Sequence, residues 1–247
     1  MPKKYANRAI IVLEAPWELD DRDANRSSVL PFIEGIAKLA GDTDVLHANF
    51  YDEDSLMHAA MCLAKSRHKN AIVYLAAHGG DGEVGDVGLA GVFAAVKVIF
   101  KQCNVTGLLI GSCYGAECVE ELKVGIEGGP LRWCAGYASS ARWLQGTLVD
   151  CAILDAMLDL PASAYKKNGS RMIARLGHAV SPFSPTMRIN AEDEDEPVAL
   201  ADSLRFVIQP EGQGHQARDV STDVFDVHAL RQVTGDEEMD FDHDEDV

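Results

Sequence analysis

Short apolar segments that alternate with helix-like segments restrict the fold of this chain more than any other feature. Five such runs have the length of a β-strand: RAIIVLEA (8–15), TDVLHANFY (43–51), NAIVYLAA (70–77), VTGLLIGS (105–112) and LRWCAGYAS (131–139). Strands that are apolar on both faces are typical of parallel sheets covered by helices on each side. The sequence therefore predicts an α/β fold, with a mostly parallel sheet flanked by helices on both faces.

Segments with apolar residues at helical spacing lie between these strands. They are SSVLPFIEGIAKLAG (27–41), DEDSLMHAAMCLAKSRH (52–68) and VFAAVKVIFKQC (92–103). Ser27 or Ser28 is placed to cap the first of them, and Gly41 is placed to end it. A further helix is predicted in LVDCAILDAMLDL (148–160), where it would pack on the sheet.

Three parts of the chain differ in composition. With 247 residues, of which 47% are hydrophobic, the chain can bury one large core. We expect that core to span residues 1–180. Residues 181–235 read as an acidic, proline-containing loop followed by one short strand in ADSLRFVIQPEG and a C-terminal extension. Residues 236–247 form an acidic tail that we expect to be disordered.

Most of the negative charge is confined to two acidic runs. The formal net charge is −17, but residues 191–196 and 236–247 hold 13 of the 39 acidic side chains. The rest of the chain has 26 acidic and 22 basic side chains, without a basic cluster that would bind phosphates. We therefore expect no direct nucleic-acid ligand, and we expect the acidic runs to be solvated, flexible segments.

The cysteines and the apolar runs indicate a cellular setting. The six cysteines follow neither a CxxC nor a disulfide-framework spacing, and no charged-then-apolar leader opens the sequence. The apolar stretches are too short, or too often interrupted, to span a bilayer. These features predict a cytoplasmic protein without a membrane partner.

His78 and Cys113 each follow directly on an apolar run, in AIVYLAAHGG and GLLIGSCYGAE. Catalytic groups in such sheets gather at the carboxyl ends of the strands, so we expect the two side chains to meet if their strands are neighbours. An imidazole beside a thiol takes its proton and produces a strong nucleophile. The amides of Gly79 and Cys113 are placed to stabilise an oxyanion, and this chemistry requires neither a metal nor a cofactor.

The motifs HGG and SCYG, with His78 and Cys113 35 residues apart, resemble those of the caspase-type cysteine peptidases. That clan includes caspases, metacaspases, legumains, gingipains, separases and bacterial caspase-like (CHAT) domains, and the resemblance covers residues 8–160. It implies an endopeptidase that cleaves a protein substrate through a Cys-His dyad, with Gly79 in the oxyanion hole. It also implies activation by a protein or ligand partner and, for the bacterial branch, a role in stress or antiviral defence.

The same resemblance implies where a substrate binds. The fifth strand and its following loop, GYASSARW (136–143), correspond to the pocket for the residue before the scissile bond, which implies substrate-binding roles for Ser139, Ser140, Arg142 and Trp143. The loop after the first strand, WELDDRD (17–23), adds Asp20, Asp21 and Asp23. The number of acids slightly favours a basic residue before the scissile bond.

Two other interpretations fit part of the sequence. GSCYG is also a G-x-C-x-G nucleophile elbow, similar to that of class I glutamine amidotransferases. Those enzymes take their histidine from downstream, and the candidates are His178, His215 and His228, none of which has a Glu two residues on. The third interpretation is a binding or scaffold protein that keeps the fold without the activity. No metal site is expected, because His58 and Cys62 are not matched by a second pair.

Overall fold

The computed structural model describes residues 6–16, 28–64, 68–80, 82–101, 103–166, 169–192, 194, 196–212 and 214–234. Within them a seven-stranded sheet lies between two layers of helices, which confirms the predicted α/β fold class. The acidic tail predicted over 236–247 lies outside the described residues.

Nine strands are described in chain order: β1 (Arg8–Glu14), β2 (Thr43–Asn49), β3 (Asn70–Ala76), β4 (Gly79–Gly80), β5 (Glu83–Val84), β6 (Val105–Gly111), β7 (Trp133–Tyr137), β8 (Leu204–Ile208) and β9 (Arg218–Asp219). The main sheet has the order β2-β1-β3-β6-β7-β8-β9, and β4 pairs with β5 as a separate short ribbon. The pairs from β2 through β7 are parallel, whereas β8 runs antiparallel to both β7 and β9.

The helices in chain order are α1 (Leu30–Ala40), α2 (Glu53–Leu63), α3 (Leu89–Phe100), α4 (Val119–Ile126), α5 (Trp143–Leu158), α6 (Ser170–Val180), α7 (Leu200–Ser203) and α8 (Ser221–Thr234). A 3-10 turn, Ala162–Tyr165, connects α5 to α6. In the part of the chain that the structure describes, no helix has the length and apolar character needed to cross a membrane.

Each face of the sheet supports its own hydrophobic core. Along β3, Ile72 and Tyr74 pack with α1, α5 and α6, whereas Val73 and Leu75 pack with α2, α3 and α4. Successive side chains of a strand point to opposite faces, so a strand buried on both faces must be apolar at consecutive positions. This double burial is the reason why the strands read as continuous apolar runs in the sequence.

The chain beyond residue 180 is built into the same sheet and core. Strand β8, which lies in the predicted segment ADSLRFVIQPEG, pairs with β7 along its whole length. Its Phe206, together with Ile189, Leu200 and Val224 of the flanking segments, is buried in the core that α5 and α6 also cover. The described residues of 181–234 therefore contribute two strands, β8 and β9, and two helices, α7 and α8, to the fold.

The ends of α1 show one expected and one unexpected contact. Gly41 ends the helix with φ of 59°, as predicted, and its N–H donates to Ala37 O. At the start, the buried Glu14 carboxylate accepts hydrogen bonds from Val29 N at 2.8 Å and from Ser28 Oγ at 2.9 Å. A carboxylate from the end of β1 thus binds the residue that caps α1, a long-range contact that local sequence cannot reveal.

Helix α3 begins at Leu89, three residues before the predicted start at Val92. Gly91 in its first turn lies against α2, since a Cβ there would be 3.0 Å from the Glu53 carboxyl carbon. The glycine indicates a loop by local preference, but its lack of a side chain suits the close approach of the Glu53 side chain inside the helix.

Substitution of Gly107 tests how tightly the sheet packs. A Cβ at Gly107 would lie 2.0 Å from the ring of the fully buried Trp133. We expect Gly107→Ala to lower the free energy of unfolding by about 3 kcal/mol through overpacking. Gly35→Ala is the matched control: Gly35 is exposed within α1 and has no atoms near its missing Cβ, so alanine should raise stability by about 0.5–1 kcal/mol. Urea denaturation measures both, and an unchanged midpoint for Gly107→Ala would contradict the packing described.

Candidate active site

His78 and Cys113 occupy equivalent positions at the carboxyl edge of the sheet. Strands β3 and β6 are neighbours and parallel, and their last paired residues are Ala76 and Gly111. His78 and Cys113 each lie two residues beyond that pair. Since paired positions of adjacent strands are about 4.8 Å apart, the sheet brings the two residues to the same place on its edge.

The segments that carry these residues are in close contact. A Cβ at Gly79 would lie 2.1 Å from both the Cys113 carbonyl oxygen and the Ser112 hydroxyl. No side chain fits there, so glycine is required for the backbone after His78 to approach the backbone at Cys113. The loop after β3 therefore makes a steric contact with the loop after β6, which strand order alone does not require.

The turn that follows β6 is anchored to β7 and its loop. Tyr114 N donates to Ser139 O at 3.0 Å, and Ala116 N donates to Tyr137 O at 2.8 Å. Tyr114 itself has φ of 57°, a left-handed conformation that is uncommon for a residue with a side chain. The hydrogen bonds hold this conformation and fix the direction in which the chain leaves Cys113.

This turn differs from a nucleophile elbow. In an elbow the nucleophile sits on a sharp turn that leads straight from strand to helix. Here α4 begins only at Val119, and the left-handed conformation falls on Tyr114 and not on Cys113. His215 lies on the loop that leaves β8, and because β8 is antiparallel to β7 this loop lies at the opposite edge of the sheet from Cys113.

The Cys113 thiol is half-buried and contacts the loop after β7. Its Sγ accepts a hydrogen bond from Ala141 N at 3.3 Å and donates to Ala141 O at 3.8 Å. Burial raises the pKa of Cys113; the Ala141 hydrogen bond acts in the opposite direction, and the negative charge of Glu194 raises the pKa further. The thiol is therefore protonated at neutral pH, and nucleophilic chemistry at Cys113 requires a base.

Two depressions flank the contact between the loops. Cys113 lines a narrow cleft together with Arg142 and Trp143, two of the predicted substrate-binding residues. The exposed His78 lines an adjacent groove of about 510 Å³ together with Gly79 and Glu83. The carboxyl edge of the sheet thus has a concave surface on both sides of the contact between the loops.

The two predicted serines lie away from that cleft. Ser139 is buried, and its Oγ bonds to Ser203 Oγ at 2.7 Å and to Ser140 O at 2.8 Å. Ser140 Oγ donates to the carboxylate of Glu194. Ser139 thus stabilises the loop, and Ser140 contacts the acidic segment.

Arg142 and Trp143 have partners of their own. The Arg142 guanidinium donates to Glu192 at 2.8 Å and to Arg188 O at 2.8 Å. Trp143 is the first residue of α5, five residues before the predicted start of that helix, and its ring meets Phe32 edge-on at 5.7 Å. The other predicted substrate-binding residues, Asp20, Asp21 and Asp23, lie outside the described residues.

The acidic segment 191–196 is attached to the site at its described residues, contrary to the expectation of a solvated, flexible run. Glu194 accepts hydrogen bonds from Ser140 and, at 2.9 Å, from Asn190. These bonds lower the pKa of Glu194 and keep it ionised. The fully buried Asn190 and the Arg188 guanidinium, which donates to Glu194 O at 2.8 Å, hold the backbone of the segment. Glu194 is thereby fixed close to Cys113.

A buried carboxylate below Cys113 was not anticipated from the sequence. Asp150 on α5 is 2% exposed, and its two oxygens accept hydrogen bonds from Tyr74 at 2.8 Å and Tyr137 at 2.9 Å. Burial raises the pKa of Asp150 to about 7, against the opposing effect of the two hydroxyls. The signal in the sequence is a single acid among the apolar residues of TLVDCAIL, on the face of the helix that packs on the sheet.

Comparison of the chain with protein-family models and with curated proteins finds no match. Inferences about function therefore depend on the side chains at the carboxyl edge of the sheet. Among the residues that the structure describes, no three His, Cys, Asp or Glu side chains lie together as a metal site would require. The Cys113 thiol has the carboxylates of Asp150 and Glu194 nearby, and the His78 imidazole lies on the adjacent loop; these are groups that transfer protons and form covalent bonds.

The buried carboxylate makes stability depend on pH. Between about pH 4 and pH 7 the unfolded chain has lost the Asp150 proton while the folded protein keeps it, so stability falls as pH rises. The side chain introduced by Asp150→Asn does not titrate. The free energy of unfolding of Asp150→Asn relative to wild type should therefore rise by about 2–3 kcal/mol from pH 5 to pH 8.

Denaturant titrations of both proteins at each pH measure this difference. Asp155→Asn, which changes an exposed carboxylate on the same helix, is the matched control. A difference between wild type and Asp150→Asn that stays constant with pH would show that Asp150 is ionised throughout this range.

Proposed function

We propose that this protein is a cysteine endopeptidase in which Cys113 is the nucleophile and His78 is the general base and acid. One observation carries the proposal: the two residues lie at equivalent positions beyond the last paired residues of adjacent parallel strands, with Gly79 against the Cys113 backbone. The resemblance of HGG and SCYG to the motifs of caspase-type peptidases supports the same reaction.

The reaction uses groups of this chain alone. His78 removes the proton from Cys113 Sγ, and the thiolate attacks the carbonyl carbon of the scissile bond. The amides of Gly79 and Cys113 stabilise the oxyanion of the tetrahedral intermediate. His78 then donates its proton to the leaving amine, which leaves a thioester on Cys113. Water, deprotonated by His78, hydrolyses this thioester and regenerates the thiol.

The described conformation fits an enzyme at rest. Burial and the nearby Glu194 charge raise the pKa of Cys113, and its thiol is hydrogen-bonded to Ala141. Burial and the Glu194 charge oppose formation of the thiolate, whereas the hydrogen bond to Ala141 favours it, so a change that exposes Cys113 or moves Glu194 away would favour activity. We therefore propose that a protein or ligand partner activates the enzyme in the cytoplasm; the family resemblance extends this to bacterial stress or antiviral defence.

Covalent labelling tests the proposed pair of residues. Peptidyl acyloxymethyl ketones should add once to wild-type protein, not at all to Cys113→Ala, and at least about a hundredfold more slowly to His78→Ala, because the thiol then lacks its base. Intact mass measured over time gives these rates. Cys118→Ala and His58→Ala are matched controls, since both change exposed residues of the same type outside the site.

Two labelling results would contradict the proposed roles of Cys113 and His78. If the probes label Cys118 or Cys62 as fast as Cys113, or if His78→Ala reacts like wild type, Cys113 is not activated by His78. Reaction with a glutamine-analogue electrophile that is insensitive to His78→Ala would favour the amidotransferase-like alternative.

Two neighbouring glycines test the contact between the loops. Gly79→Ala places a Cβ 2.1 Å from the Cys113 carbonyl, so the two segments must separate and labelling of Cys113 should slow by about a hundredfold. Gly80→Ala is the control, because no atom lies within 4 Å of the added Cβ. Circular dichroism checks that both variants fold. Equal labelling rates for the two variants would argue against catalysis at this contact.

A further inference from the structure

A buried carboxyl group joins the two strands that flank β6. Asp150 on α5 accepts hydrogen bonds from Tyr74 of β3 at 2.8 Å and from Tyr137 of β7 at 2.9 Å. Strands β3 and β7 do not pair with each other, because β6 lies between them in the sheet. The two tyrosine side chains therefore meet through the Asp150 carboxyl group over β6. We call this set of three side chains the Asp150 bridge.

Gly111, the last residue of β6, provides the space for the Asp150 bridge. A Cβ at Gly111 would lie 2.6 Å from Asp150 Oδ2 and 2.8 Å from the Tyr74 hydroxyl. The bridge therefore packs directly on the β6 backbone, two residues before Cys113. A larger residue at this position would push the carboxyl group and the tyrosine ring away from the strand.

Each strand that the bridge joins leads to one side of the candidate site. Tyr74 of β3 precedes His78 by four residues. Tyr137 is the last residue of β7, and its carbonyl accepts a hydrogen bond at 2.8 Å from Ala116 N, in the turn after Cys113. The bridge thus connects the strand that carries His78 with the strand that holds the turn of Cys113.

The bridge also fixes both ends of the loop that contacts the thiol. Ala141 lies in this loop between β7 and α5, and its N–H and carbonyl bond to Cys113 Sγ. Tyr137 begins the loop at the end of β7, and its hydroxyl lies 3.1 Å from Gly146 O in the first turn of α5. The position of the loop relative to Cys113 therefore depends on the same cluster of hydrogen bonds.

The bridge does not depend on the charge of Asp150. An ionised carboxylate accepts from both hydroxyls. A protonated carboxyl group accepts from Tyr74 and donates to Tyr137, whose own proton then goes to Gly146 O. In both cases the same three side chains are joined, so what the carboxyl group supplies is the geometry of its two oxygens.

Packing of α5 on the sheet does not by itself require a carboxyl group at this position. Ile153 and Leu154, three and four residues further along the same helix, are apolar and fully buried in the core that also contains Tyr74 and Tyr137. An apolar side chain at Asp150 would avoid the cost of removing a carboxyl group from water. Buried polar groups with complete hydrogen bonding instead favour one arrangement of the segments that they join.

We propose that Asp150 is a positioning residue for the reaction at Cys113, which acts through Tyr74 and Tyr137 to hold the segments of His78 and Cys113 in the geometry that proton transfer requires. This inference rests on the peptidase function proposed above. Proton transfer needs the thiol and the imidazole within hydrogen-bond reach, and a displacement of about 1 Å can slow a reaction about a hundredfold. Asp150 is buried and acts on these groups through the strands.

Two variants separate the hydrogen bonds of the bridge from the packing of the core. The triple variant Tyr74→Phe, Tyr137→Phe, Asp150→Leu makes the cluster apolar, and loss of the two hydroxyls leaves room for the leucine. Apolar replacement of all partners in a hydrogen-bonded group can be close to neutral for stability. Asp150→Asn keeps the bridge, because Oδ1 accepts from Tyr74 and Nδ2 donates to Tyr137. Asp155→Asn, which changes an exposed carboxylate of α5, is the matched control.

The kinetics of labelling measure the effect on the reaction. Acyloxymethyl ketones with lysine or aspartate next to the reactive group are used at several concentrations, which gives the maximal rate constant kinact and the half-saturating concentration KI. In the triple variant kinact should fall at least about tenfold while KI stays within about threefold of wild type, because the thiol and its base are misplaced behind an unchanged surface. Asp150→Asn should recover kinact to within about threefold, and Asp155→Asn should match wild type.

Thermal unfolding checks that each variant is folded. If the triple variant does not fold, Tyr74→Phe alone replaces it, because this substitution cuts the link to β3 and leaves Asp150 bonded to Tyr137. Tyr74→Phe should also lower kinact without a matching rise in KI.

Other results overturn the inference in distinguishable ways. A folded triple variant with the kinact of wild type excludes the bridge as a positioning device and leaves the peptidase function intact. An equal loss of kinact in Asp150→Asn assigns the effect to the charge of Asp150 and not to the bridge. A rise in KI with unchanged kinact assigns the cluster to probe binding. Failure of every probe to label Cys113 in wild type overturns the peptidase function together with this inference.

Discussion

The parallel pairing of β3 with β6 is the interaction on which the candidate site depends. Its register ends at Ala76 and Gly111, so His78 and Cys113 leave the sheet side by side. A slip of one residue would turn one of the two segments toward the opposite face. Burial of apolar side chains on both faces prevents such a slip, because it would exchange residues between the two cores. The hydrophobic effect thereby fixes the relative position of two polar side chains that take no part in it.

Two glycines at this edge of the sheet allow neighbouring segments to come into close contact. Gly79 lies so close to the Cys113 carbonyl that only a residue without a side chain fits, and the buried Asp150 carboxylate packs against the Gly111 backbone, where a Cβ would lie 2.6 Å from Oδ2. The hydrogen bonds of Tyr114 and Ala116 to the segment 137–139 then hold the turn after Cys113. Close backbone approach, and not side-chain complementarity, is what shapes the edge of the sheet here.

The charged groups around Cys113 come from segments far apart in the chain. Asp150 lies on α5, Glu194 lies in the acidic segment, and Arg142, at the end of the β7 loop, pairs with Glu192. Each carboxylate has hydrogen-bond donors, as polar groups in or near a protein interior require. The pKa values of the two carboxylates nevertheless shift in opposite directions. Hydrogen bonds lower the pKa of Glu194 at the surface, whereas burial raises the pKa of Asp150 although two tyrosines donate to it. Two carboxylates near one thiol thus differ in protonation because they differ in burial.

Local composition was sufficient for the fold class, for six of the strands and for the placing of His78 and Cys113 at strand ends, because double burial produces continuous apolar runs and parallel strands share one edge. The early start of α3, the Glu14 contact at α1 and the attachment of residues 191–196 depend on partners distant in sequence, which residue preference does not encode. Asp150 shows this dependence on distant partners most clearly. Its neighbours in the chain predict a buried helix face, but only packing of α5 against β3 and β7 decides that its carboxylate meets Tyr74, Tyr137 and the cleft of Cys113. The sequence determined which strands form the parallel sheet. The tertiary structure decided which polar groups are buried together, because hydrogen bonds and desolvation depend on distance in space.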